Sequence, residues 1–166
     1  MSKLKIQNTL ENTKEEFIPV DPSNVRIYAC GPTVYDYAHI GNARMAVVND
    51  LLVRLLRTLF PKVTYVSNIT DIDDKIIEAA QTADIPFQEL TLKFEAIYNE
   101  DMAALGVHRP DVQPRATDHI AEMIALTKTL VKLGHAYEIK GHVLFHVPSF
   151  EKYGCLSGRN RDEQIA

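Results

Sequence analysis

The chain has no long apolar run, no excess of basic residues and few cysteines, and each lack removes a class of protein. Its longest greasy segment, Met45 to Leu59, is broken by Asn49, Asp50, Arg54, Arg57 and Thr58, whereas a membrane span needs roughly 20 apolar residues in succession. The first residues, MSKLKIQNTLENTKEEF, carry charges where a signal peptide has its apolar stretch, so a cytoplasmic protein with no membrane partner is expected. Counting 18 basic against 22 acidic side chains gives a net charge of −4. No global positive field advertises nucleic acid, and any RNA affinity must come mostly from other segments. Two cysteines in such a setting read as free thiols or metal ligands, not as a disulfide framework. Asn68-Ile69-Thr70 fits the glycosylation acceptor pattern, which the cytoplasmic reading makes silent. Internal repeats and low-complexity tracts are also missing.

What is present is ordinary globular usage, 46% apolar and 24% charged over 166 residues, enough for one core with a small appendage. Residues 3–20 read as two short extended segments around a polar turn, followed by the loop Asp21-Pro22-Ser23-Asn24. Val25 to Ala29 (VRIYA) has the β-branched and aromatic content of a buried strand, and Cys30-Gly31-Pro32 ends it. From Ala43 to Phe60 apolar residues recur at helical spacing with a wide greasy face, predicting a helix packed hard against a sheet and stopped by Pro61. Val63 to Ile69 reads as a second strand, and Thr70-Asp71-Ile72-Asp73-Asp74 opens a helix to about Thr82. Strand, helix, strand in this order is a βαβ unit and predicts a parallel sheet. Helices are expected over Pro86 to about Leu105 and Ala116 to about Lys132, ended by Gly106 and Gly134. HAYEIKGHVLFHV then reads as a hairpin turning at Lys140-Gly141, and YGCLSGRNRDEQIA as a polar stretch with no closing element.

Chemistry concentrates in Cys30 to Arg44, CGPTVYDYAHIGNAR, between the carboxyl end of one strand and the amino end of a long helix, the edge where open α/β sheets bind ligands. Gly31 and Gly41 allow close backbone approach, and free amides at a helix start receive phosphate oxygens. A histidine ahead of a helix is ordinarily a cap or a structural residue. His39, however, stands in His39-Ile40-Gly41-Asn42, which resembles the HIGH motif of class I aminoacyl-tRNA synthetases. The whole phrase, with its preceding Cys30-Gly31, resembles the cysteinyl-tRNA synthetase family. So do SNITDIDDKII (Ser67 to Ile77), Arg115-Ala116-Thr117 with His119-Ile120, and Tyr153-Gly154 with Leu156-Ser157. The likeness covers nearly the whole chain.

The resemblance implies an α/β, Rossmann-like parallel sheet. Residues 1–134 would form the first half of a class I catalytic domain, and 135–166 would begin a β-containing connective insertion. It implies cysteine-tRNA ligase chemistry: ATP with Mg2+ activates cysteine to cysteinyl adenylate, and the cysteinyl group passes to tRNA(Cys). Pro32, Thr33, His39, Gly41 and Asn42 would bind ATP, with His39 and Asn42 serving catalysis. Asn42 departs from the motif's second histidine; its amide donates to phosphate without carrying charge. Gly31 and Thr70 would contact the substrate cysteine.

Read from the residues alone, Cys30 is a small buried hydrophobe at a strand end. By resemblance it is a zinc ligand, which suits selection of a thiol over a hydroxyl because zinc prefers thiolate. The family's other zinc ligands belong to a later region, so weak or no zinc binding is expected of this chain alone. Cys155 matches none of them and reads as a packing residue. Asp71, Asp73 and Asp74 tempt a magnesium assignment, but first-turn carboxylates more simply cap amides and suit the helix dipole. Lys75 reads as solvated, and His108, His135, His142 and His146 have no ligand-like spacing.

The family's KMSKS loop and anticodon-binding domain have no counterpart in the sequence, so negligible aminoacylation and at most weak ATP binding are expected of the chain by itself. Two rival readings are the related ligase joining activated cysteine to an aminosugar, and a non-catalytic nucleotide-binding fragment. Val34-Tyr35-Asp36 looks more like the tRNA ligase. Half a sheet would also leave an unpaired edge and exposed apolar helix faces, predicting self-association or limited stability.

Overall fold

A computed structural model describes residues 4–158 of the chain. In chain order its elements are β1 (Lys5–Asn8), β2 (Thr13–Glu16), β3 (Val25–Ala29), α1 (Ile40–Leu59), β4 (Val63–Ser67), α2 (Asp74–Ala83), α3 (Phe87–Ala104), α4 (Ile120–Lys132), β5 (Ala136–Ile139) and β6 (His142–Phe145). The chain divides into two compact units, Pro19–Ile120 and a second made of Met1–Ile18 with Ala121–Ala166.

The first unit holds the βαβ element. β3 and β4 pair in parallel with Val25 opposite Val63 and Ala29 opposite Ser67, and α1 is the crossover. The alternation along β4 is strict, with Val63, Tyr65 and Ser67 buried and the residues between them half-buried, because successive side chains point to opposite faces of a sheet. Beyond a break the pairing resumes at one isolated bridge, Thr33 with Thr70. A core of Val34, Ile69, Ile76, Ala80, Leu90 and Phe94 joins the strand ends to α2 and α3.

The other edge of β4 is occupied by residues 111–116, which the sequence presents only as a link between helices. Val112 and Arg115 bridge in parallel to Val66 and Ile69, and the Ser67 and Ile69 amides donate to the carbonyls of Val112 and Pro114. Pro110 and Pro114 hide this run from a strand pattern, since proline is confined to sheet edges. Asp111 fastens it: the carboxylate accepts the Tyr65 amide at 2.7 Å and the Arg57 guanidinium at 2.9 Å. The expected unpaired edge therefore falls on β3, which pairs only with β4 among the described residues.

α1 differs from its predicted packing. It buries a narrow stripe, Ala46, Asp50, Val53 and Leu56, while Val47, Val48, Leu51, Leu55 and Leu59 stay exposed. One buried position is a carboxylate, which is tolerable because Asp50 is satisfied: Arg54 Nε donates at 2.7 Å and the His108 amide at 3.3 Å. Arg54 also donates to the Gly106 carbonyl. Asp50 and Arg54 thus tie α1 to the turn that follows α3, where Gly106 has φ of 74°.

The helix expected over Ala116 to Lys132 is split into a 3-10 turn, Ala116–His119, and α4. In the second unit β1 and β2 form an antiparallel hairpin turning through Asn12 at φ 53°. β5 and β6 form another whose Lys140 and Gly141 both have positive φ, 50° and 80°, as a type I′ turn demands. α4 buries none of its residues. Cys155 is exposed, so it is not the packing residue it was expected to be. The end of the polar tail, residues 159–166, lies outside the described residues, as does the start of the first extended segment at residue 3. No described helix is long and apolar enough to cross a membrane.

Candidate active site

α1 begins three residues earlier than its apolar periodicity, because polar side chains and not packing start it. His39 is the N-cap, with extended backbone (φ −106°, ψ 172°). Its Nδ1 accepts the Gly41 amide at 3.0 Å, and the Asn42 Oδ1 accepts the His39 amide at 3.1 Å. Two helix-start donors are satisfied reciprocally, the logic of a capping box. The cap reading and the functional reading of His39 are therefore compatible. With Nδ1 accepting, the neutral ring carries its hydrogen on Nε2, leaving that nitrogen as the outward donor. Asn42 spends its carbonyl on the cap and keeps its Nδ2 hydrogens. Gly41 has no side chain because an added Cβ would stand 2.7 Å from His39 Cε1.

His39 and Asn42 line a cavity of about 320 Å3 with Pro32, Thr33, Tyr35, Asp36, Lys75 and Tyr98. Its rim segment is pinned at two points. Val34 is buried in the core, and the Tyr37 ring meets Phe94 edge-on at 5.4 Å. Cys30, Gly41 and Thr70 do not line this cavity. Cys30 is exposed, so the buried-hydrophobe reading of it fails; Gly31 and Pro32 alone turn the chain inward here, where Pro32 is buried.

Gly31, Asn68 and Thr70 form one network at the strand ends. Asn68 Oδ1 accepts the Gly31 amide at 2.9 Å, and Asn68 Nδ2 donates to Thr70 Oγ1 at 3.1 Å. Thr70 also donates its amide to the Pro32 carbonyl at 2.9 Å. The space a side chain would fill at residue 31 is taken by protein: an added Cβ would sit 1.6 Å from the Asn68 carbonyl oxygen. Asn68 was legible as a silent glycosylation acceptor and as part of SNITDIDDKII, with no role of its own. A polar amide closing a strand pair shows no periodic signal.

The acidic cluster divides. Asp73 caps α2 through the Lys75 amide at 2.9 Å, and Asp74 lies in the first turn, as the capping reading expects. Asp71 does something else: it is buried and accepts both the amide and the hydroxyl of Thr117, at 3.0 and 2.5 Å. Arg115 grips Glu95 at 2.9 Å; that hydrogen bond raises the guanidinium's pKa above its usual value, against an opposing effect of desolvation. These contacts hold the edge segment 111–116 against β4 and α3. Lys75 is exposed, in line with its solvated reading, and its ammonium stands over the Tyr35 ring, 5.7 Å from the centroid, at the cavity wall. Tyr98 and Tyr65 have raised phenol pKa values, chiefly because both are desolvated.

Zinc coordination takes three or four side chains, and among the described residues no three His, Cys, Asp or Glu side chains gather into a metal site. Cys30 could supply one ligand, which by itself is not a site.

Residues 16–166 match the family model described as tRNA synthetases class I (C) catalytic domain. The chain belongs to this family. Its similarity to members is high: 58% identity over 163 residues to the cysteine–tRNA ligase of Rhodospirillum rubrum, covering 98% of this chain and 36% of that protein. The cysteine–tRNA ligases of Parvibaculum lavamentivorans and Maricaulis maris are 56% and 54% identical, over 99% and 100% of this chain and 35% and 36% of theirs. The chain thus spans about a third of the length of the curated relatives it matches. Among solved structures, Mycobacterium tuberculosis methionyl-tRNA synthetase in complex with methionyl-adenylate superposes with a TM-score of 0.57 at 18% identity, over 72% of this chain and 28% of that one. That likeness concerns the fold, and it agrees with the Rossmann-like parallel arrangement of β3, α1 and β4. Through the N-cap His39 and Asn42 the amino terminus of α1 faces this cavity, a place where helix amides can receive anions.

Proposed function

We propose that this chain carries the nucleotide-binding and part of the amino-acid-binding apparatus of a cysteine–tRNA ligase. The observation that supports this most directly is the cap of α1, which fixes the His39 Nδ1 as acceptor at 3.0 Å and leaves Nε2 as a donor at the cavity. In the reaction a carboxylate oxygen of cysteine attacks the α-phosphorus of ATP, the bond from that phosphorus to its bridging oxygen breaks, and pyrophosphate leaves. Cysteinyl adenylate then passes its acyl group to the terminal ribose of tRNA(Cys). Negative charge builds on phosphate oxygens, so positioned donors do most of the work. His39 Nε2 and Asn42 Nδ2 are those donors here, and removing one such donor typically raises a barrier by about 2.7–4 kcal/mol. Pro32 and Thr33 line the nucleotide side, Gly41 serves it through the position of the His39 ring, and Mg2+ accompanies ATP.

Gly31 and Thr70 face the amino acid in this reading. Thr70 Oγ1 already accepts from Asn68 and has a second lone pair for the substrate ammonium. Cys30 is one ligand of a zinc site whose remaining ligands lie outside this chain; the substrate thiol would be read there by its affinity for the metal. Residues 1–134 serve as the first half of the nucleotide fold and 135–166 as the start of an inserted segment. The protein works in the cytoplasm, and the exposed apolar face of α1 favours self-association of the chain on its own.

The test joins residues 1–166 to the remaining two-thirds of the Rhodospirillum rubrum ligase. Cysteine-dependent ATP–pyrophosphate exchange followed by transfer to tRNA(Cys), both abolished by His39→Ala, is the expected result. Exchange with transfer to an aminosugar and not to tRNA would favour the rival ligase, and no exchange despite a folded chimera would leave only nucleotide binding.

A further inference from the structure

Lys75 occupies a place that helix stability does not explain. It is the second residue of α2, two positions after the N-cap Asp73, where the helix dipole favours carboxylates and disfavours a cation. Its ammonium is held over the Tyr35 ring at 5.7 Å, a contact worth about 0.5–1 kcal/mol at an exposed position that leaves its three N–H donors uncommitted. Among the described residues no carboxylate lies within ion-pair distance of it. The acidic side chain on the same cavity, Asp36, accepts the Tyr37 amide at 2.8 Å instead.

The cavity itself is short of positive charge. Lys75 is the single Lys or Arg among its lining residues, and Asn42 brings a dipole where a second imidazole could have carried a proton. A triphosphate placed against the start of α1 needs a counter-charge, and Lys75 is the fixed cation that shares this cavity with His39 and Asn42.

We infer that Lys75 is a phosphate-binding residue, with Tyr35 as the platform that holds its ammonium toward the triphosphate of a bound nucleotide. This rests on the reading of the cavity as the ATP site. It assigns to the first turn of α2, a second element, the charge that the histidine motif lacks.

The test is titration of the 15N-labelled chain with ATP and with adenosine, followed by amide shifts at residues 31–42. Lys75→Met is compared with Lys75→Arg and His39→Ala; Lys75 is exposed, so an unchanged spectrum without ligand verifies the fold. Loss of a charge-assisted contact predicts a Kd for ATP raised about tenfold in Lys75→Met, largely restored in Lys75→Arg, with adenosine binding unchanged in both. If Lys75→Met binds ATP as the parent does while His39→Ala does not, the inference on Lys75 fails and the ATP site stands. If ATP perturbs none of these amides in the parent chain, or binds equally in all variants, both fail. An equal loss of ATP and adenosine affinity in Lys75→Met would assign the lysine a role in cavity shape and overturn phosphate binding.

Discussion

His39 and Asn42 cap one helix start reciprocally: the Gly41 amide donates to His39 Nδ1 at 3.0 Å, and the His39 amide donates to Asn42 Oδ1 at 3.1 Å. The same two side chains line the cavity, each with one polar end engaged and the other free. Helix stability and ligand chemistry are thus coupled through three residues, His39, Gly41 and Asn42, and variants can separate them.

Gly41→Ala places a methyl group 2.7 Å from His39 Cε1. The ring can swing away, so the helix loses a cap worth about 1 kcal/mol and gains about 1 kcal/mol from replacing glycine by alanine. The melting temperature is expected to stay nearly constant while ATP affinity falls to that of His39→Ala. A calorimetric scan paired with nucleotide titration checks both; unchanged ATP affinity would show that the ring's position does not matter.

Asn42→Asp keeps an acceptor for the His39 amide and adds a negative charge at a helix start, worth about 0.3–1 kcal/mol of stabilisation. It also removes the Nδ2 donors and opposes phosphate. Higher thermal stability with weaker ATP binding is the expected pair of results, whereas Asn42→Ala should lose in both. Equal ATP affinity in Asn42→Asp and the parent would count against Asn42 as a phosphate donor.

Gly31→Ala forces a methyl group onto the Asn68 backbone carbonyl, at 1.6 Å before relaxation. Because the obstacle is backbone, β3 and β4 must part at their carboxyl ends, and a loss of about 3 kcal/mol is expected, read as a lower urea midpoint. Asn68→Ala, which removes the side-chain bonds to Gly31 and Thr70 without steric conflict, should cost less, about 1–2 kcal/mol. The reverse order would mean that the hydrogen-bond network, and not close backbone approach, sets the need for glycine.

Burial raises the phenol pKa of Tyr98, with the Tyr65 phenol adding to it, and burial likewise raises that of Tyr65. An unfolded tyrosine ionises near pH ~10, so above that pH the folded chain holds more protons than the unfolded one. The stabilisation is complete below about pH 10 and is lost as pH rises through the folded values. Tyr98→Phe should therefore flatten the alkaline fall in stability above about pH 10, measured as urea midpoints. An identical alkaline slope in the variant would exclude Tyr98 as a contributor.

Much of the architecture was legible from local pattern. VRIYA and VTYVSNI read as strands because β-branched and aromatic residues cluster between turn signals, and the crossover order implied their parallel pairing; the second strand ends two residues earlier, at Ser67. Lys140-Gly141 read as a tight turn because short alternating segments flank it on both sides. The histidine motif was legible as a motif. The start of α1 was not, because Gly41 and Asn42 have no apolar periodicity and act through a cap. The segment 111–116 escaped because its prolines mask its pairing with β4.

By itself, then, the sequence determined most of the elements, the βαβ order and the histidine motif ahead of the long helix. These follow from periodicity, turn chemistry and side-chain type, all carried within a few neighbouring residues. Only the tertiary structure decided that Asp71 belongs to Thr117, 46 residues away, that Asp50 is buried against His108, and that Lys75 turns to Tyr35 on the cavity wall. Those pairings depend on which elements the fold brings together, and a charge has no local signature that distinguishes water from a distant partner.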